Sequence, residues 1–226
     1  PSHPWLNGAW SRYYTAIYRA NLVLDRVPDI DMDQTRKEQI LAEARFLRAM
    51  NYFYLYRMWG PTPLITSSET SVEDRPARPS NEEFVSFVEE ELREASEVLP
   101  ANQDQYGRAT SGAALAFLTK FYLNNKKWNE AASTAEEVIN SGEYSLFTSG
   151  NRSELLAVKN EGHSEFIFVI PAPADNSSGV NNNYLAHAAP PGYKWTYPPG
   201  FNFAAQFKIR SEFLDLFNDP DDERLD

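Results

Sequence analysis

Four aromatic residues lie close together towards the end of the chain, in a segment that favours no regular secondary structure. They fall within nine positions and are surrounded by Pro, Gly and Asn: Tyr193, Trp195, Tyr197 and Phe201. Rings displayed on a loop can stack on the flat faces of a ligand, while neighbouring amides form hydrogen bonds with it. The alternative is that the rings fill a core beneath a long loop or contact another part of the protein. The cluster is the first candidate for a ligand site.

A second candidate lies near the start of the chain, where Trp5 and Asn7 precede the first predicted helix. An exposed indole beside a side-chain amide has the same capacity for stacking and hydrogen bonding. The alternative is that Trp5 packs against the protein. Trp59 ends the helix expected to be most buried and Trp128 occupies a turn between helices, so both are predicted to be packing residues.

Two arginines of the second predicted helix, Arg45 and Arg48, are interpreted as structural. A guanidinium group has several donors and can satisfy carbonyl and carboxylate oxygens where helices meet. Glu43 is a candidate partner for them.

Residue types for metal binding or catalysis occur without the required spacing. The histidines His3, His163 and His187 are isolated, and the acidic segment 219–223 lacks the glycine and ligand spacing of an EF-hand. No phosphate-binding glycine loop, Gly-x-Ser-x-Gly elbow or His-Glu-x-x-His motif is present. A carboxylate pair for glycoside hydrolysis is defined by its separation in space, so the sequence leaves that alternative open. We expect no enzyme activity, no metal and no cofactor.

The composition narrows the classes of partner. The 226 residues are 42% hydrophobic and carry a formal net charge of −11, which disfavours nucleic acid and anionic membrane surfaces. There is no cysteine, and no apolar run approaches the ~20 residues of a membrane-spanning helix. Because the chain opens at Pro1 without an initiator Met or signal region, we interpret it as a fragment.

Hydrophobic periodicity and capping residues predict the helices that position these side chains. The first is expected over residues 8–27, before Pro28. The second is expected to begin at a capping box of Thr35 and Glu38 and to end at Gly60, with apolar residues on two opposite faces, so it should be the core element. Three further helices are predicted over 80–99, 110–124 and 128–141.

The last two predicted helices have the character of a tetratricopeptide repeat. The large, aromatic and small residues of that repeat are matched at Leu115, Leu118, Tyr122, Trp128, Ala131, Ala135 and Val138.

The Pro-rich stretch 60–79 should be a long surface connection, and Glu165 to Ile170 has the pattern of a buried strand. We therefore predict a mainly α protein: an α-α superhelix of tetratricopeptide-like helix pairs with an irregular lobe containing little β. The predicted domains are a helical scaffold over 1–160 and the start of an irregular, ligand-presenting lobe over 161–226.

An ordered set of short motifs resembles the SusD/RagB family. The motifs are Trp10, Tyr14, Tyr18 and Asn21 in the first helix, then EARFLRA at 43–49, GPTPL at 60–64, GRAT at 107–110, SGEY at 141–144, EFIF at 165–168 and the segment 211–224. They span nearly the whole chain.

The resemblance implies a surface-exposed lipoprotein of the outer membrane of Bacteroidota. Such a protein binds oligosaccharides or polysaccharides without catalysis and passes them to a TonB-dependent, SusC-like transporter for nutrient uptake. It implies membrane attachment only through an N-terminal lipid anchor, which this chain lacks, and a missing C-terminal part. Tyr193, Trp195, Tyr197 and Phe201, with Trp5 and Asn7, are then the candidate glycan contacts, because rings can stack on the C–H faces of sugars.

Two alternatives remain open from the sequence. The protein could be a tetratricopeptide-like adaptor that binds another protein on its helical surface, although only one repeat unit is clear in the sequence. The cargo could also be a peptide or glycopeptide instead of a glycan.

Overall fold

The computed structural model describes residues 4–71, 73–150, 152–171, 211–216 and 218. They fall into two compact units, Pro1–Leu146 with Ser164–Val169 and Phe147–His163 with Ile170–Asp226. Helices of the first unit are Pro4–Arg26 (α1), Gln34–Trp59 (α2), Asn81–Val98 (α3), Ser111–Asn124 (α4) and Trp128–Asn140 (α5). The second unit has the short helices Arg152–Leu155 (α6) and Ser211–Leu214 (α7).

Each long helix of the first unit packs against the next one along the chain, and α2 also touches α4. The described residues contain no strand, and the predicted mainly α fold of stacked helix pairs is confirmed. Small side chains allow α4 and α5 to approach each other closely, since Ala113, Ala114 and Ala131 are all buried. The predicted boundary near residue 160 stays a prediction.

The first helix begins earlier than its predicted start at residue 8. α1 starts at Pro4, so Trp5 and Asn7 lie within its first turns and not before it. Proline is favoured at the first helical position because its missing N–H has no intrahelical partner there and its φ is already helical. The helix ends as predicted, where Pro28 belongs to the 3₁₀ turn Val27–Asp29.

The second helix is the core element, as predicted. Phe46, Ala49, Tyr52 and Leu55 are fully buried, and α2 contacts both α1 and α3. Its predicted capping residue was wrong: the backbone N–H of Arg36 donates to Asp33 Oδ1 at 2.8 Å, so Asp33 is the N-cap. A carboxylate accepts this bond and also interacts favourably with the positive end of the helix dipole.

The connection from α2 to α3 is long, as predicted, and is held by side chains of α1 and α2. The Tyr14 hydroxyl donates to the Pro63 carbonyl at 2.8 Å, and Asn21 Nδ2 donates to the Ile65 carbonyl at 2.9 Å. The Ile65 N–H donates to the Tyr52 hydroxyl at 2.6 Å. The loop is therefore fixed at its start by hydrogen bonds to the core helices.

The capping box predicted for the third helix is confirmed. The Ser80 side chain accepts from the Glu83 N–H, and the Glu83 carboxylate accepts from the Ser80 N–H at 2.7 Å. The pKa of Glu83 lies below its ordinary value, because its carboxylate accepts hydrogen bonds from the backbone and the side chain of Ser80, which stabilise the ionised form. The sequence specifies the start of α3 well, because Ser80 and Glu83 are only three positions apart.

Arg45 and Arg48 are structural, but their partner is not Glu43. Both pair with Glu91 of α3, Arg45 through Nη1 at 2.8 Å and Arg48 through Nε at 2.6 Å. Glu43 instead pairs with Arg108, which precedes α4. Side chains three residues apart on a helix share a face, but those two apart do not, so Glu43 and Arg45 diverge.

The strand predicted over Glu165 to Ile170 was wrong. This segment is irregular, because among the described residues no other strand lies beside it to form a ladder. Its hydrophobic pattern has a different origin. The Phe168 ring packs edge to face on the rings of Phe46 and Phe117, with centroids 5.2 and 6.0 Å apart. A half-buried aromatic residue in an irregular segment thus produced a strand-like pattern.

Candidate functional site

Trp5 lies on the exposed surface of α1, beside a shallow groove. Its side chain is 77% exposed. Together with Pro4, Gly8, Ala9 and Arg12 it lines a groove of about 400 Å³. This volume lies within the range of small-molecule sites, ~300 to 1,000 Å³.

The residues of this groove fit a ligand with both apolar and hydroxyl-bearing faces. Residues 5, 8, 9 and 12 follow the helical spacing of one face, which places the indole at one end and the Arg12 guanidinium at the other. Gly8 has no atom within 4 Å of where a Cβ would lie, so the floor between them is open. A flat ring that stacks and a guanidinium that donates hydrogen bonds are the groups that bind sugars.

Asn7 does not lie in this groove. It is exposed, but it is two positions from Trp5, so the helix directs the two side chains to different faces. The structure therefore pairs Trp5 with Arg12, which sequence reasoning missed. The seven-residue spacing of Trp5 and Arg12 would have indicated this pair if the first helix had been predicted to begin at Pro4. A role for Asn7 in binding stays a prediction.

The four clustered rings Tyr193, Trp195, Tyr197 and Phe201 lie outside the described residues. Their role stays a prediction.

A layer of aromatic residues fixes α1 to the end of α2 and so positions the groove. Trp10 contacts Trp59 edge to face at 5.2 Å, and Tyr13 stacks on Tyr54 at 5.9 Å. The predicted packing role of Trp59 is confirmed. Burial raises the pKa of Tyr13, an effect increased by Tyr54 and opposed by Arg57, so its phenol stays neutral at physiological pH.

Trp128 was predicted to pack, and this prediction was wrong. It is the first residue of α5 and is 61% exposed. Ile139 of the same helix is 72% exposed. With Ala132 and Ala135 these residues follow the spacing of a single helical face, so α5 presents an apolar stripe.

In the described part of the chain, no three His, Cys, Asp or Glu side chains are grouped so that they could hold a metal ion. Within it, no helix is both long enough and apolar enough to cross a membrane.

Comparison with known proteins identifies the family. Residues 4–123 match the SusD-like family described as "Starch-binding associating with outer membrane". A SusD-like protein of Bacteroides ovatus is 34% identical over 181 residues, which are 73% of this chain and 32% of the relative. The chain belongs to the SusD-like family.

Two solved structures have a similar fold. A SusD-like protein from Bacteroides fragilis is 27% identical with a TM-score of 0.69, over 74% of this chain and 34% of that one. A laminarin-binding SusD-like protein is 34% identical with a TM-score of 0.65, over 71% of this chain and 36% of that one. The chain thus spans about a third of the length of these relatives.

Proposed function

We propose that the protein to which this chain belongs binds glycans without catalysis at the outer surface of the cell. The observation that carries this proposal is the family match over residues 4–123, because that family is described as starch-binding and associated with the outer membrane. The laminarin-binding relative supports a polysaccharide or an oligosaccharide as the ligand.

Ligand binding is proposed to rest on stacking and on hydrogen bonds to hydroxyl groups. The groove of Trp5 and Arg12 offers one stacking ring and one cationic donor on a rigid helix. We propose that Tyr193, Trp195, Tyr197 and Phe201 supply further rings, and that Asn7 contributes an amide from the neighbouring face of α1. Four rings within nine positions would suit a polymer better than a single sugar.

Delivery of the bound glycan to a TonB-dependent, SusC-like transporter is part of the same proposal. The protein would be a surface-exposed lipoprotein of the outer membrane, held by an N-terminal lipid anchor outside this chain. The apolar stripe of α5, with Trp128 and Ile139, supports a contact with another protein. Co-purification of a transporter with the full-length protein from detergent-solubilised outer membranes tests this part, and its absence under cross-linking would contradict it.

The alternative of a tetratricopeptide-like adaptor is favoured only by that exposed stripe. An adaptor of this kind needs several comparable helix pairs in tandem, whereas only one repeat unit, that of α4 and α5, is clear in the sequence. Glycan binding and the adaptor function can be distinguished by a small ligand, because a glycan-binding protein binds a saccharide and an adaptor binds only another protein.

Isothermal titration calorimetry of the full-length protein with a glycan panel tests the binding proposal. We expect saturable binding to at least one oligosaccharide with no change in the length of the recovered ligand. Tight binding to peptides or glycopeptides and none to glycans would contradict the carbohydrate assignment. Cleavage products in the recovered ligand would contradict the absence of catalysis.

A further inference from the structure

A polar cavity of the first unit lies where the start of α2 meets the connection between α3 and α4. It has a volume of about 380 Å³. The Trp5 groove lies near the other end of α2, because Trp10 of α1 packs on Trp59. No aromatic ring is among the described residues that line the cavity, and its polar side chains that carry the argument below are Arg36, Gln39, Asn102, Gln103, Gln105 and Arg108.

The charges around this cavity leave no positive excess. The ion pair with Glu43 neutralises Arg108, and the carboxylate of Asp104 in the wall offsets the charge of Arg36. Glu143 adds a further negative charge at the rim, where it accepts a hydrogen bond from a lining amide at 2.6 Å. A carboxylate or phosphate ligand would give up hydration without a net attraction in return. The charge balance therefore favours an uncharged ligand.

The polar groups at the floor are held in place by the protein itself. Gln103 Nε2 donates to Glu43 and to the Ala109 carbonyl, at 3.0 and 2.8 Å. Arg108 Nε donates to Glu43 at 3.1 Å, and its Nη1 donates to Gln105 Oε1 at 3.4 Å. Side chains that are already ordered lose little conformational entropy when a ligand binds.

The amides of the cavity keep both donors and acceptors for a ligand. The bonds described above leave Gln103 Oε1 as an acceptor and Gln105 Nε2 as a donor. Gln39 Oε1 accepts from Arg36 at 3.4 Å, which leaves the Gln39 Nε2 donor, and Asn102 keeps its Oδ1 acceptor. Each of these four atoms has no other hydrogen-bond partner among the described residues. A hydroxyl group donates and accepts at once, so a mixed set of amides suits a ligand with several hydroxyls.

We propose that this cavity is a second saccharide site, which takes one or two uncharged sugar units. The amides hydrogen-bond the hydroxyls along the edge of the sugar, since no ring in the described wall can stack on its face. A peptide fits less well, because Pro100 is the one apolar residue of the described wall and offers no pocket for its side chains. The volume lies at the lower end of the range for small-molecule sites, which suits a ligand of this size. This inference rests on the proposed glycan-binding function.

Titration calorimetry of the full-length protein with matched pairs of trisaccharides tests this site. The neutral trimers are those of glucose, galactose and mannose, and each is paired with the trimer of its uronate, which carries a carboxylate at C6. We expect at least one neutral trimer to occupy about one site more per protein than its uronate does. The affinity of that site should change by less than about twofold between low and high salt, because no charged ligand is involved.

The double variant Gln39→Ala/Gln105→Ala locates the site. It removes two ligand amides and should weaken the extra site at least about fivefold, as expected for the loss of two hydrogen bonds. Gln34→Ala/Asn129→Ala is the matched control, because it removes two exposed amides outside the cavity. This control should keep the affinity and the number of bound trimers of the wild type.

Each contrary result has a distinct meaning. If a neutral trimer binds equally well to the wild type and to a folded Gln39→Ala/Gln105→Ala protein, the site is overturned and the proposed function stands. Equal occupancy by a neutral trimer and its uronate overturns the preference for uncharged sugars. Failure of the trimers while a polysaccharide still binds overturns this inference alone. Failure of every trimer and every polysaccharide overturns the proposed function as well.

Discussion

At the scale of single residues, the centre of the first unit depends on a buried ionic contact. Arg48 is 6% and Glu91 4% exposed, and Arg48 Nη1 also donates to Asn21 Oδ1 at 2.9 Å. The Arg48 guanidinium lies over the Phe87 ring at 5.5 Å. Because α1, α2 and α3 each supply a polar partner, the contact fixes the relative position of three helices.

Removing the charge of Glu91 should destabilise the protein strongly. Glu91→Gln leaves Arg48 buried without its anion, and we expect a loss of about 3 kcal/mol in the free energy of unfolding. Urea denaturation of the full-length protein measures it. Glu137→Gln is the control, because the Arg93–Glu137 pair has side chains 35% and 46% exposed and should contribute at most about 1 kcal/mol. Equal losses in the two variants would contradict the importance of burial.

The Tyr52 hydroxyl provides a test at alkaline pH. Burial raises the pKa of this phenol well above its ordinary value near 10, an effect that the hydrogen bond with Ile65 opposes. The unfolded chain ionises the phenol near pH 10 while the folded protein keeps it protonated, so this contribution to stability is lost as the pH rises above 10.

The variant Tyr52→Phe should therefore change two quantities. It leaves the Ile65 N–H without its acceptor and should lower the free energy of unfolding by about 1 to 3 kcal/mol at pH 7. It should also flatten the decline in stability above pH 10. Unfolding free energies from pH 7 to pH 11 measure both effects, and a decline as steep as in the wild type would contradict the assignment to Tyr52.

At the scale of elements, helix periodicity and local caps were enough to predict the existence of all five long helices. The capping box of Ser80 and Glu83 was predicted correctly because both partners are close in sequence. The cap of α2 was predicted wrongly because Asp33 and Thr35 are both good capping residues, and only the backbone geometry selects Asp33. The other two wrong predictions, the strand over 165–170 and the packing of Trp128, depended on tertiary contacts. Phe168 packs without a strand, and Trp128 stays exposed at the start of α5.

A pair of substitutions tests the cap of α2. Asp33→Ala should lower the free energy of unfolding by about 1 kcal/mol, because the Arg36 N–H loses its acceptor. Thr35→Ala should change it by less than about 0.5 kcal/mol, as expected for a surface site. Thermal or chemical denaturation of the two variants distinguishes these values. A larger loss from Thr35→Ala would restore the capping box expected from the sequence.

At the scale of the whole molecule, the chain spans about a third of the length of its relatives. The family could be predicted from ordered motifs along the chain, since these motifs encode the helical scaffold. The binding site was harder to predict, because stacking needs exposed rings and exposure depends on which helices pack against each other. The sequence already separated Trp5, a candidate contact, from Trp59, a predicted packing residue, whereas only the folded structure distinguishes the exposed Trp128 from Trp59.

The two exposed tryptophans of the helical unit provide a matched comparison. Trp5→Ala in the full-length protein should weaken glycan binding by about two- to tenfold, as expected for the loss of one stacking ring. Trp128→Ala, which removes a ring of similar exposure from α5, should leave glycan binding unchanged. Titration calorimetry with the best ligand of the panel measures both affinities. A loss in Trp128→Ala alone would move the site to α5.

Affinity electrophoresis of the full-length protein through gels that contain plant, host and microbial polysaccharides tests the central claim most directly. The wild type and Trp195→Ala are run side by side with a non-binding reference protein. Our account predicts that at least one polysaccharide retards the wild type and that this retardation is reduced in Trp195→Ala. Equal mobility of the wild type in all gels and in polymer-free gels would contradict glycan capture.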